Sequence, residues 1–241
     1  YGFPLVMMEL TKRQMTNVET PNELFAPVNQ LGHTTKYLDP DYTVVVAPNA
    51  DTYYSSAWLD LSDGPFVVGM PDTHGRYYLL PTLDAWTNVF ASPGSRTTGT
   101  GAQTFLLTGP SWSGVVPAGM TELKSPTEMA WFLGRIQVNS PEDGATIVKA
   151  IQDSMFLVPL SEYGNPSYNP PLGTIDPNVS TTVPSELIFN LSVEDYFNLL
   201  NQLLLTNPPA SYDAQMVAKM SRVGVGPGRT FKLSDFSLIH Q

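Results

Sequence analysis

Residues 48–62 read PNADTYYSSAWLDLS, and residues 71–94 read PDTHGRYYLLPTLDAWTNVFASPG. The first run alternates after its Pro-Asn turn. Thr52, Tyr54, Ser56, Trp58 and Asp60 fall on one side, and Tyr53, Ser55, Ala57 and Leu59 on the other, as successive side chains of a strand do. Turn signals follow at Asp63-Gly64-Pro65, at Asp72–Gly75 and at Ser92–Ser95, and Gly75 can take the positive φ of a tight connection. Between them the composition predicts strands over Phe66–Met70, Arg76–Asp84 and Trp86–Ala91. Turns spaced about 10 residues apart belong to an antiparallel sheet or barrel, not to alternating strands and helices.

Working outward, Thr43–Ala47 (TVVVA) is a β-branched run upstream. Gln103–Thr108 and Val115-Val116 continue the strand pattern downstream, while Met129–Val138 is ambiguous between helix and strand, with β-branched and aromatic content favouring a strand. Helices flank this body. Residues 3–16 carry an apolar stripe through Leu5, Met8 and Met15, with Lys12 and Arg13 near the end, where they complement the helix dipole. Residues 17–42 are irregular, with Asn29, Gln30 and His33 as a polar centre suited to loop hydrogen bonding and, as the weaker alternative, to binding. Ser140-Pro141-Glu142-Asp143 is a helix start, with a serine cap, proline in the first turn and acids behind it, and predicts a helix to about Ser154. Ser192 opens a second helix over Val193–Leu205 whose apolar residues nearly ring it, which predicts deep burial. A third helix lies near Tyr212–Arg222. Residues 161–184 form a long arm rich in proline and asparagine.

The expected fold class is therefore α+β: an antiparallel β-rich body over 43–138, a helical region over 140–224, and one large domain over 1–229. Residues 230–241 have no evident partner upstream and read as the start of a second domain.

Composition removes several functions. The chain of 241 residues carries 22 acidic and 12 basic groups, a net charge of −10, which repels nucleic acid and anionic membrane surfaces. It has no cysteine, so disulfides, zinc–thiolate sites and thiol catalysis are absent. Its three histidines, His33, His74 and His240, are scattered, and no apolar run is long enough to span a membrane.

The run from Pro48 to Gly101, the Gly109-Pro110-Ser111-Trp112-Ser113-Gly114 motif, the opening YGFPLVMME, the segment Ala26–His33 and Pro126–Arg135 together resemble the domain-of-unknown-function 1254 family. The likeness covers nearly the whole chain and is weakest over 161–190. It implies a microbial protein, often exported, with a β-rich domain and attached helices, usually followed by a second β-sandwich domain. It implies no activity.

Three site readings compete. Asp51 and Asp84 are candidate acid–base carboxylates, as in glycoside hydrolysis. Tyr54, Trp58, Arg76, Trp86 and Arg96 would wall a pocket for a small molecule or glycan. Asp39, Asp41, Asn49 and Asp51 could supply oxygen ligands to calcium, although no EF-hand pattern is present. Ser95–Gly101 contains an arginine among glycines and threonines and could cradle an anion, while a plain hairpin loop with structural hydrogen bonds explains it better. No G-x-S-x-G motif occurs, so a nucleophilic serine has no sequence support. The functional expectation is an exported binder of a small molecule or glycan with hydrolytic potential. The alternative is an assembly protein forming homo-oligomers, with calcium as its cofactor and the 161–184 arm packed on a neighbour. The first reading requires Asp51, Arg76, Asp84 and Arg96 to meet in one cavity.

Overall fold

The computed structural model describes residues 1–39 and 49–236. The expected strand at Thr43–Ala47, as well as Asp41 and Pro48, lies outside the described residues.

Two sheets form the body. The larger has the order β1-β2-β9-β5-β6, with β4 also paired to β9. Its spine is the antiparallel pair β2 (Thr52–Asp60) and β9 (Met129–Gln137), in register from Thr52 opposite Gln137 to Asp60 opposite Met129. Around them lie β1 (Gly32–His33), β4 (Tyr78–Leu79), β5 (Thr82–Asp84) and β6 (Val89–Ala91). The smaller sheet has the order β10-β3-β7-β8, built from β3 (Phe66–Met70), β7 (Gln103–Thr108), β8 (Thr121–Lys124) and β10 (Phe156–Pro159). Among the described residues all strand pairings are antiparallel except β7 with β8.

The alternation read in β2 divides the core in two. Tyr53, Ala57 and Leu59 pack with Phe66, Val68 and Phe105 of the small sheet. Tyr54 and Trp58, on the opposite face, pack with Trp131, Leu133 and the helices. Both faces are covered, so β2 is a central strand. The helical layer comprises α1 (Phe3–Met15), α4 (Pro184–Asn190) and α5 (Val193–Leu203), with α6 (Ala214–Ser221) beyond. Leu5, Met8 and Met15 of α1 are buried as their stripe requires. On the other face of the large sheet, with Val148 and Ile151 buried in the core shared with the small sheet, runs a helical stretch: α2 (Pro141–Asp143), a π-helical turn (Gly144–Val148) and α3 (Lys149–Ser154). The Ser140 hydroxyl caps it by accepting from the Asp143 amide at 3.1 Å, and Ser192 caps α5 in the same way at 3.1 Å.

The structure departs from the sequence reading in several places. The strand expected over Arg76–Asp84 is split into β4 and β5. Pro81 lies at the break and has no N–H to give a ladder, while its carbonyl still accepts from Leu133. Val115, 89% exposed, lies in a loop and not in a strand. The strands β8 and β10 and the helix α4 were not anticipated. α5 buries only Leu200 and Asn201; its other apolar side chains are half-buried or exposed. The 161–184 arm folds back on its own chain: Gln30 donates to the Pro171 carbonyl at 2.6 Å, Gln14 to those of Ser180 and Thr182, and the Gly173 amide to Glu19. The segment from residue 230 also has a partner. Phe231 is buried against Phe197, and its amide donates to Asn198.

Candidate functional site

The side chains singled out in the sequence do not converge on one cavity. Trp58 is 1% exposed and stacks on Trp131 with ring centroids 4.7 Å apart and planes 5° apart, while its indole N–H points to the Met15 sulfur. Tyr54 is buried on the same face, where its hydroxyl accepts from Asn49 Nδ2 and the Arg135 guanidinium lies over its ring. Asp84, 4% exposed, closes the β5–β6 turn. Its Oδ1 accepts from the amides of Trp86 and Asn88 at 2.8 and 2.9 Å, and the Asn88 side chain reaches both carboxylate oxygens. These bonds hold Thr87 at φ 69°, a region that a β-branched residue seldom adopts. Trp86 packs on Tyr1 and donates to the carbonyls of Asn207 and Pro208. Arg96 is exposed and lies 5.3 Å over the Tyr77 ring. The amides of Thr97, Thr98 and Gly99 all point to the Gly94 carbonyl, so this loop spends on itself the donors an anion cradle would need.

Asp51 is exposed at the entry to β2. Asn49 Oδ1 accepts from the amides of Asp51 and Thr52 and from the Thr52 hydroxyl, an arrangement that starts the strand. Among the described residues no three His, Cys, Asp or Glu side chains come together to hold a metal ion. His33 Nδ1 lies 2.8 Å from the Ser55 hydroxyl. Burial pushes the imidazole down to about 4; the charge of Asp153 opposes this and that of Lys149 reinforces it. Ser55 is fully buried, so the pair ties β1 to β2 and offers no nucleophile to solvent.

Of the predicted set, Arg76 reaches a cleft. A cavity of 770 Å3 is lined by Asp72, His74, Arg76, Gln137 and Asn139, with Ile147 and Ile151 as its apolar wall. Its guanidinium is already committed. Nη1 and Nη2 hold the two Asp143 oxygens at 2.8 and 2.6 Å, and Nη1 also donates to the Gln137 carbonyl. Burial raises the Asp143 pKa, but the Arg76 hydrogen bonds, the Asn139 amide and the Arg76 charge outweigh it, so the carboxyl titrates below its ordinary value. This bidentate pair clamps the β3–β4 turn to the start of the π-helical stretch.

The second cleft, 630 Å3, lies where the small sheet meets the arm, and it has the aromatic lining that the first lacks. Phe66, Trp112, Tyr168, Pro159 and Pro171 supply its apolar wall, and Asn29, Gln30, Asp63 and Ser161 its polar groups. The Gly-Pro-Ser-Trp-Ser-Gly loop fixes Trp112. A Cβ on Gly109 would lie 2.5 Å from Glu128 Oε2, and one on Gly114 would lie 2.5 Å from the indole ring. Both positions therefore admit only glycine without displacement. Ser111 donates to Glu128 Oε1 at 2.9 Å, and Lys124 to the Trp112 carbonyl at 3.2 Å. Tyr168 comes from the arm, and its hydroxyl pKa is raised by burial and by the Glu162 charge. Asn29 takes φ 66° because its amide donates to the Trp58 carbonyl and its Oδ1 accepts from the Asp60 amide. Asn29 and Gln30 thus make the expected backbone bonds and face a cavity as well.

The family model described as "Protein of unknown function (DUF1254)" matches residues 28–159, more than half the chain. The chain belongs to that family. The VPA0106 protein from Vibrio parahaemolyticus has a similar solved structure, with a TM-score of 0.67 and 26% identity over 97% of this chain and 52% of that one. The chain therefore spans about half the length of that protein. An uncharacterised protein from Burkholderia cenocepacia aligns over 56% of this chain and 36% of its own at 14% identity; its TM-score of 0.34 carries no argument. No curated protein matches the chain.

Trp112 stands out in the sequence only as part of the Gly-Pro-Ser-Trp-Ser-Gly motif. A tryptophan in a loop of glycine, proline and serine has no local core to enter, and that was the available signal. Tyr168 had no such signal, because its place depends on where a distant arm folds.

Proposed function

We propose that this is an exported domain that binds a small molecule or glycan in the cleft walled by Trp112 and Tyr168. The observation that carries the reading is that aromatic cleft: it has the volume and the mixed lining of a ligand pocket, and its tryptophan is held by the loop and free of the core. A ring face presented beside amide, hydroxyl and carboxylate groups suits a sugar, whose apolar face stacks while its hydroxyls hydrogen-bond. Export is supported by the resemblance to a family whose members often carry an export signal. Binding is favoured over hydrolysis. Asp63 is the one carboxylate among the described lining residues, whereas glycoside hydrolysis ordinarily uses two. Asp84 is spent on its turn.

The test is calorimetric titration with cellotetraose, maltotetraose, tetra-N-acetylchitotetraose and tetraglucosamine, with tryptophan fluorescence read in parallel. At least one should bind, and Trp112→Ala should weaken it by about tenfold or more, as the loss of a central aromatic anchor does. Reducing-end assays should show no cleavage. Binding of none, or unchanged affinity in Trp112→Ala, overturns the reading.

A further inference from the structure

The ionic character of the aromatic cleft is one-sided. Among the described residues, Asp63 lines it, no lysine, arginine or histidine does, and the Asp63 side chain has neither hydrogen bond nor ion pair. Lys124 donates to the Trp112 carbonyl and is not part of the lining. Asp63 sits in the turn that precedes β3 and lines the cleft together with Phe66, the first residue of that strand. Aromatic faces attract cations through their quadrupole, and an unpaired carboxylate attracts them by charge. The net charge of −10 adds a long-range preference of the same sign. A uronic acid or sulfated sugar would meet a like charge here and no counter-charge.

From this we infer that the cleft selects amino sugars: saccharides whose ring carries a free ammonium group, with Asp63 as the specificity-determining residue. This rests on the saccharide reading of the same cleft. The sugar ring stacks on Trp112 or Tyr168, and its ammonium group is held by Asp63. The amides of Asn29 and Gln30 are left to the hydroxyls. Gln30 Nε2 is already donated to the Pro171 carbonyl, so its Oε1 is the free acceptor.

The experiment compares three tetrasaccharides that share a β-1,4 backbone and differ at C2: tetraglucosamine, its fully N-acetylated form and cellotetraose. Tetragalacturonate serves as the anionic arm. Titrations at pH 6 and low ionic strength should give tetraglucosamine about five- to tenfold tighter binding than either neutral sugar, with no detectable binding of tetragalacturonate. Asp63→Asn should bring the ammonium sugar to the affinity of the neutral ones, while its thermal unfolding temperature stays unchanged, since the side chain is exposed and without partner. Equal binding of the charged and neutral sugars to the wild type, or a preference that survives Asp63→Asn, overturns the inference and leaves saccharide binding standing. Failure of every sugar to bind removes the parent reading instead, and the inference with it.

Discussion

The stretch from Asn49 to Ala91 and the loop from Gly109 to Gly114 are both dense in aromatic and polar residues, and they use them in opposite ways. In the first, Trp58 stacks inside the core, Asp84 ties a turn, Asn49 starts a strand and Arg76 grips Asp143. Their polar atoms are largely satisfied within the protein. In the second, the glycines and Ser111 are spent on holding one indole at the rim of a cleft. Density of functional-looking residues is therefore a poor guide to a site. What matters is whether the side chain still has a free face after the fold has taken what it needs.

Replacing each tryptophan by alanine should break that comparison most sharply. Trp58→Ala removes a fully buried ring and leaves Trp131 without its stacking partner, and large-to-small core changes of this kind cost about 3–5 kcal/mol. Trp112→Ala should cost under about 1 kcal/mol, because the ring is only half-buried. Urea unfolding monitored by far-ultraviolet circular dichroism measures both. If Trp112→Ala proved as destabilising as Trp58→Ala, the loop would be part of the core and the contrast would collapse.

Arg76 tests the same contrast at the other cleft, with a smaller expected effect. Arg76→Ala leaves a largely buried Asp143 without its bidentate partner, and should cost about 2 kcal/mol at neutral pH. The sign of the pH dependence follows from the lowered Asp143 pKa. The pair's contribution is complete above the ordinary carboxylate value and is lost as pH falls through the depressed folded one. The stability difference between wild type and Arg76→Ala should therefore shrink as pH falls below about 4. His33 does not confuse the result. Its pKa, lowered to about 4, makes the fold lose stability as pH falls from the ordinary histidine value, but it does so in both proteins and cancels in the difference. A difference that stays constant from pH 7 to pH 3 would mean that Arg76 acts by packing alone.

The fold was largely legible in the sequence where the signal is local. β2, β3, β7 and β9, the α1 stripe and the serine caps at 140 and 192 all depend on neighbours within a few positions. What was not legible depends on distant partners. β8 (TELK) is polar and exposed at a sheet edge, and its strand state comes from a parallel pairing with β7. β10 ends in proline and is a strand because β3 lies beside it. The half-exposure of α5 follows from how few elements cover it, which no helical wheel records. The site failed for the same reason. Phe66, Trp112 and Tyr168 come from a strand start, a loop and an arm more than a hundred residues apart end to end, and periodicity assigns faces without saying which loops meet.

The smallest change should separate position from presence. Gly114→Ala keeps Trp112 in the chain but puts a methyl group where the indole now lies, 2.5 Å from its nearest ring atom. Contacts that close do not occur between real atoms, so the ring must move or the loop must shift. The loop is exposed at Gly114, where φ is not in the left-handed region, so backbone strain adds nothing and relaxation outward is open to it. Stability should change by less than about 0.5 kcal/mol. Affinity for whichever saccharide binds should nevertheless fall several-fold, because a stacking platform works only at the orientation the ligand meets. The tryptophan emission maximum should move to the red as the displaced indole gains solvent. An affinity equal to wild type, with emission shifted, would show that the ligand does not stack on Trp112, and would overturn the cleft reading as an unchanged Trp112→Ala would.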